Sequence, residues 1–474
     1  MTRIASLLST TCFALFACQD PGNGSTETEA TSDPSTSTST AGPTTDAATT
    51  DVATTDVATT EQPTTEASTT TSTTDDTTTQ GVDTTTITTD DTTTTTTDGT
   101  TTTTTTTDGT TTTTTGDTTT TTTTGDTDTE TTGEPSPWDG EPLPDAPDGE
   151  WQWVPFPESQ CRDGSSAGIA VRYGSGPGLM IYFQSGGACF NAATCNQNAK
   201  SFGMASYNNF VQNAGGAGIF DDDAPENPVG DWSVVFVPYC TGDVHAGAQP
   251  DVEIDGIAGT QQFVGYTNVT HYLNRVVPTF LGTAEHVLVT GESAGGFGSA
   301  FNYDRIVEAF PDRPVTLLDD SGPVMSDAFM SPCLQQHWRD IWNFEATLPA
   351  DCAECFQPDG GGISNIIPYL AAKHSDQRLG LVSSLQDQTI RYFFGFGLDD
   401  CAGGQMSGAT FTAGLADLRD DWMEDPAGTW GAFYLAGSQH TWLTPSFYSA
   451  QTDGVLLREW VADLLAGTAT NVAP

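Results

Sequence analysis

Two Gly-Xaa-Ser-Xaa-Gly pentapeptides occur in the chain, and only their surroundings tell them apart. Gly164-Ser165-Ser166-Ala167-Gly168 precedes a strand-like run, whereas Gly291-Glu292-Ser293-Ala294-Gly295 follows the apolar run 286–290 and opens a helical pattern. A serine hydroxyl can attack an acyl carbon when a sharp strand-to-helix turn lifts it above a sheet edge, and small neighbours allow that turn. Ser293 is therefore the expected nucleophile, with the Ala294 N–H at the helix start facing a developing oxyanion. Gly187 and Ala188, in the glycine-bearing stretch after the run 179–184, are the expected partner donors. A plain glycine-rich turn is the bland alternative at each place.

Such a hydroxyl needs an adjacent base, and the base an orienting carboxylate. Three of the six histidines follow Ser293: His337, His374 and His440. His440 comes directly after the last strand-like run, 430–435, and is the expected base. His374 stands beside Lys373 and near Asp376, and reads as a solvated loop residue. Asp387 follows the penultimate run and is the expected acid; Asp399 and Asp400, beside Cys401, are its rivals.

The elements that must hold these groups are legible as alternating patterns. Strand-like runs lie at 169–173, 179–184, 233–239, 286–290, 315–318, 379–383 and 430–435, with helical patterns at 264–280, 297–310, 388–394 and 455–465. The runs at 179, 233, 286 and 315 are apolar throughout, as strands covered on both faces are. An α/β fold follows, with a mostly parallel sheet and helices on both faces.

Composition places this fold in only part of the chain. The 474 residues carry 62 acidic and 13 basic side chains, for a net charge of −49. No aromatic residue occurs between Phe16 and Trp138, so the Thr/Asp-rich segment 19–137 cannot build a core and is expected to be a disordered linker or stalk. Residues 1–18 read as an export signal. Leu15-Phe16-Ala17-Cys18 resembles a bacterial lipobox, which makes Cys18 the candidate for lipidation and a membrane anchor for the displayed protein; cleavage and release is the alternative. The foldable unit is then 138–474, outside the cytoplasm and expected as a monomer. With only two lysines, Lys200 and Lys373, no basic cluster exists to bind nucleic acid.

Four blocks together resemble the pectin acetylesterase/Notum carboxylesterase family: Gly186-Gly-Ala-Cys-Phe-Asn-Ala-Ala-Thr-Cys195, Val237-Pro-Tyr-Cys-Thr-Gly-Asp-Val-His-Ala-Gly247, Gly291-Glu-Ser-Ala-Gly-Gly296 and Asp320-Ser-Gly322. The resemblance implies an α/β-hydrolase fold and a carboxylesterase that needs no metal or cofactor. It implies the triad Ser293, Asp387 and His440, and the oxyanion donors Gly187, Ala188 and Ala294. It also implies the disulfides Cys161–Cys240 and Cys189–Cys195. Two positions depart from the family pattern: Glu292, where a small residue or Cys is expected, and His245, where an aromatic is common. Both are pocket candidates for that reason.

Other constellations carry less. Cys352-Ala-Glu-Cys355 lacks the second Cys pair of a zinc site, and pairing among Cys333, Cys352, Cys355 and Cys401 is left open among three connectivities. Asp221-Asp-Asp223 lacks the spaced ligands of a calcium loop and reads as a solvated acidic turn. The expected activity is deacetylation of a polysaccharide. The alternatives are a Notum-like esterase for longer acyl groups and a catalytically silent surface binding module.

Overall fold

The computed structural model describes residues 137–474, together with the backbone of five short strands within 84–123. The chain divides into two compact units, one holding 135–474 and the other 21–134. In the second unit Thr84–Thr89, Thr92–Thr97, Thr100–Thr107, Thr110–Thr115 and Thr118–Thr123 pair antiparallel in sequence order. Where composition predicts coil, the backbone thus pairs. Threonine is β-branched and favours extended backbone. Nearly every pair is Thr on Thr, so the tracts themselves do little to choose one register over another. The export signal and Cys18 lie outside the described residues.

Residues 137–474 are built on one eight-stranded sheet. Its strands are β1 (Trp151–Gln160), β2 (Ser166–Arg172), β3 (Gly178–Phe183), β4 (Ser233–Val237), β5 (His286–Glu292), β6 (Val315–Asp320), β7 (Arg378–Ser384) and β8 (Trp430–Leu435). They lie side by side in the order β8-β7-β6-β5-β3-β4-β2-β1. The six from β8 to β4 run parallel, while β2 is antiparallel to both its neighbours. The seven strand-like runs of the sequence are the cores of β2 to β8. The eighth strand, β1, carries Pro155 and Pro157 and a register shift after Phe156. Proline removes a ladder donor and is tolerated at an edge, which is where β1 lies.

Alternate residues of the central strands enter different cores. Leu179, Ile181, Val287 and Val289 belong to one apolar cluster, and Met180, Tyr182 and Leu288 to the other. Helices α1 (Gly265–Phe280) and α2 (Ala294–Ala309) cover the first face; α5 (Leu457–Leu465) covers the second. Between them in sequence come α3 (Pro332–Trp342) and α4 (Gln388–Phe394). Both faces of β5 are sealed, so truncating the fully buried Leu288 to Ala should cost about 2–5 kcal/mol. This is an α/β-hydrolase sheet, and its switch from rightward to leftward strand order falls between β3 and β5, beside the Ser293 turn.

Candidate active site

The turn from β5 into α2 is set by steric limits. Ser293 has φ 59° and ψ −117°, a strained pair for a residue with a side chain, and is 3% exposed. A β-carbon on Gly295 would lie 1.9 Å from the Phe183 carbonyl oxygen, and one on Gly291 would lie 2.4 Å from the Gly295 carbonyl oxygen. Only glycine lets the two strand ends and the helix start approach so closely. The Ser293 N–H donates to the Asp320 carbonyl at 2.7 Å, tying the elbow to the end of β6. The other pentapeptide lacks this setting: Ser166 is exposed at the start of β2, and Ser165 is bonded to Asp163 in the preceding turn.

After β3 the chain turns through Gly187, at φ +78°, into a loop whose carbonyls are held from behind. Tyr239 donates its hydroxyl to the Gly187 carbonyl at 2.8 Å, and the Asn198 amide donates to the Gly186 carbonyl at 2.5 Å. The N–H groups of Gly187 and Ala188 make no internal hydrogen bond among the described residues. That of Ala294 begins a helix and has no intrahelical acceptor. All three residues line one cavity with Ser293. Two disulfides brace this loop region, Cys161–Cys240 and Cys189–Cys195.

His440 and Asp387 meet although 53 residues separate them. His440 Nδ1 lies 2.8 Å from Asp387 Oδ2, and the other carboxylate oxygen accepts the Thr389 and Ile390 N–H groups at 2.8 and 2.9 Å. Asp387 is fully buried and caps α4, so its position is fixed from both oxygens. Asp399 and Asp400 are exposed. Burial works against a charged His440, but the bond to Asp387 and the charges of Asp387, Asp320 and Glu292 outweigh it and raise its pKa above the ordinary imidazole value.

A second pair of buried acids grips the segment after His440, and its role is not readable from spacing. Asp320 Oδ2 accepts the N–H groups of Trp442 and Leu443 at 2.6 and 2.9 Å, and its Oδ1 accepts the Ser321 hydroxyl. Glu292 accepts the Thr444 N–H at 2.9 Å and the Tyr182 hydroxyl at 2.7 Å. Asp320 therefore holds the Ser293 turn by its carbonyl and the His440 segment by its carboxylate. Burial first, and then the neighbouring Glu292 charge, push the Asp320 pKa well above the usual carboxylate range.

The cavity at Ser293 is apolar, walled by Phe297, Phe301, Trp338, Phe393 and Phe394 with Val244 and Ile390. Its volume of about 30 Å³ is room for two or so water-sized groups. Neither Glu292 nor His245 lines it. Glu292 faces Tyr182 and Thr444, as above. His245 is 2% exposed, packed on Phe183 and Tyr239, with Nε2 2.9 Å from the Gln184 carbonyl. Burial, partly countered by that bond, lowers its pKa to about 4, so it donates as a neutral ring and supports the strand end leading to the oxyanion loop. His374 is also corrected: it is buried, 2.7 Å from Asp304, because Asp304 sits seventy residues away in sequence but beside it in space. The open cysteine question resolves as Cys333–Cys401 and Cys352–Cys355. Asp222 of the acidic turn pairs with the buried Arg172 at 3.4 Å. Among the described residues no cluster of three metal-ligating side chains exists, and no helix is long and apolar enough to cross a membrane.

Comparison with known proteins adds a family. Residues 156–396 match the pectinacetylesterase family model. The chain is 30% identical over 220 residues to palmitoleoyl-protein carboxylesterase notum2 of Xenopus laevis, covering 42% of this chain and 43% of that protein. It is 32% identical over 172 residues to palmitoleoyl-protein carboxylesterase NOTUM of Homo sapiens, 34% of each. The aligned stretch thus spans less than half the length of these relatives. Among solved structures, the Wnt deacylase Notum from Drosophila matches with a TM-score of 0.48 and 18% identity, over 67% of this chain and 92% of that one.

Proposed function

We propose that this chain, which belongs to the pectin acetylesterase family, is a serine carboxylesterase that removes short acyl groups, acetate foremost, from a polysaccharide. In this reading Ser293 Oγ attacks the acyl carbon while His440 Nε2 takes its proton, and the tetrahedral oxyanion is held by the Gly187, Ala188 and Ala294 N–H groups. Collapse breaks the bond to the sugar oxygen, which takes the proton from His440 and departs as a hydroxyl, leaving an acyl-Ser293 ester. Water, deprotonated by His440, then attacks that ester, releasing the carboxylic acid and restoring the serine. Asp387 keeps the imidazole in the tautomer that presents Nε2 to the serine. No step calls on a cofactor.

The observation that carries the acyl preference is the small ring-walled cavity over Ser293. A methyl group fills it, whereas a long chain requires the phenylalanine wall to move. The names of the curated relatives favour a second reading, a palmitoleoyl-type acyl group, and chain length separates the two. With one chromophore, kcat/KM should fall from acetate to octanoate esters, and acetate should be released from an acetylated polysaccharide. A rise with chain length and no acetate release would give the long-acyl reading. Display outside the cytoplasm belongs to the same proposal, supported by four disulfides, which persist in oxidising compartments. Residues 138–474 are then the catalytic unit, and 19–137 its stalk.

A further inference from the structure

The oxyanion loop is held in a way that the triad does not explain. Glycine takes up positive and negative φ about equally well, so the Gly186-Gly187 pair does not by itself choose which way its peptide groups face. In a planar trans peptide the carbonyl and the N–H of the next residue point in opposite directions. The Gly186 carbonyl and the Gly187 N–H belong to one such unit, and the Gly187 carbonyl and the Ala188 N–H to the next. Both candidate oxyanion donors are therefore aimed by whatever holds the carbonyl on the other side of the same peptide.

Two buried side chains do so. The Asn198 amide donates to the Gly186 carbonyl at 2.5 Å, and the Tyr239 hydroxyl to the Gly187 carbonyl at 2.8 Å. That hydroxyl also accepts the Val244 N–H at 2.9 Å, which turns its own proton toward Gly187. Burial, foremost, raises the Tyr239 pKa well above the ordinary phenol value, so the donor persists at alkaline pH. Both side chains are themselves anchored. Tyr239 precedes Cys240, which is bonded to Cys161, and its N–H donates to the Gln184 side-chain carbonyl at 2.9 Å. The Cys189–Cys195 disulfide closes the chain between the loop and Asn198, and the buried Arg162 donates to the Asn198 backbone carbonyl at 2.8 Å. The Tyr239 ring also accounts for Gly186, where a β-carbon would lie 2.3 Å from a ring carbon.

We propose that Tyr239 and Asn198 are positioning residues for the oxyanion hole, each fixing a peptide whose N–H would otherwise be free to turn away from the acyl oxygen. The inference rests on the esterase reading above and deepens it. Neither side chain lines the cavity at Ser293, so both act through the backbone, and their effect is greatest where negative charge develops on the acyl oxygen.

The test compares the full wild-type chain with Tyr239→Phe, which keeps the ring and removes only the hydroxyl. On an acetate ester kcat should fall about 10-fold or more with KM nearly unchanged, short of the roughly 10²–10³-fold loss that removing a donor outright brings. Affinity for methylboronic acid, whose tetrahedral adduct with Ser293 mimics the oxyanion, should fall by the same factor, and the acid limb of the pH profile should stay in place. In crystals of the variant the 187–188 peptide should be turned or present in two orientations. Asn198→Ala should give the same pattern at the 186–187 peptide, and serves if Tyr239→Phe does not fold. Unchanged kcat in a folded variant, or a loss of kcat with boronate affinity intact, would overturn the proposal. Failure of the esterase reading looks different: the wild-type chain would hydrolyse no ester, while the peptide orientation in the variant crystals would still decide whether the two side chains set it.

Discussion

Two hollows, one at Ser293 and one beside Asp387, differ in size and in lining. The cavity over Ser293 is the smaller and is walled by aromatic rings; the cleft beside Asp387 is lined by amides, hydroxyls and a guanidinium. In the proposed reading the first takes a methyl group, whose removal from water into an apolar space is favourable. The other is lined by groups that exchange hydrogen bonds with water or with a polar ligand. Helix α4 serves both hollows, Ile390, Phe393 and Phe394 walling the first and Gln388, Arg391 and Tyr392 the second, so the first can be altered by itself through α2 and α3 and not through α4.

The largest effect should come from the triad itself. Ser293→Ala and His440→Ala should each lower kcat by at least about 10³-fold on any ester, because triad members act as one unit. Unequal losses for small and polymeric esters would show that the two do not share one nucleophile.

A smaller effect should come from the first hollow alone. Phe297→Ala removes part of the cavity wall, and each methylene newly accommodated contributes about 0.8 kcal/mol. The ratio of octanoate to acetate kcat/KM should therefore rise by about 10-fold or more. An unchanged ratio would mean that this hollow does not set the acyl length.

The pH dependence sharpens the account of the base. His440 must be neutral to accept the serine proton, so activity should be lost as pH falls through its pKa, which lies above the ordinary imidazole value. Glu292→Gln removes one of the charges that hold that pKa up. The acid limb of kcat/KM should then move to lower pH, with the alkaline side unaffected. An acid limb that stays in place would show that Glu292 acts only as a structural clamp. The smallest effect is expected from deleting residues 19–137, which should leave the melting temperature and small-ester hydrolysis unchanged; a large drop in either would show that this segment docks on the catalytic unit.

Much of this arrangement is legible in the sequence, for identifiable reasons. Apolar runs that fill a doubly covered sheet announce themselves, so β2 to β8 are readable, and the elbow glycines mark Ser293 because packing there admits nothing larger. Position after a strand was enough to point to Asp387 and His440, which the structure brings within hydrogen-bond reach. Strand β1 is hidden by Pro155 and Pro157, whose disfavour in strands lapses at a sheet edge. The roles of Tyr239, Asn198, Asp320 and His245 are hidden for another reason. Each is defined by contacts with segments far away in sequence, such as the 122 residues between Asp320 and Trp442. His374 was misread because burial beside Asp304 is a property of the fold and not of its polar neighbours. The 386–392 stretch drew attention for its acid alone, since a cleft formed by separate loops has no periodic signature.

The most direct test of Ser293 as the nucleophile is covalent labelling with a serine-directed phosphonate, followed by mapping of the modified peptide. The expected result is one label per chain, on Ser293, with activity lost in proportion. A label on Ser166, or full activity in a chain labelled at Ser293, would overturn the assignment.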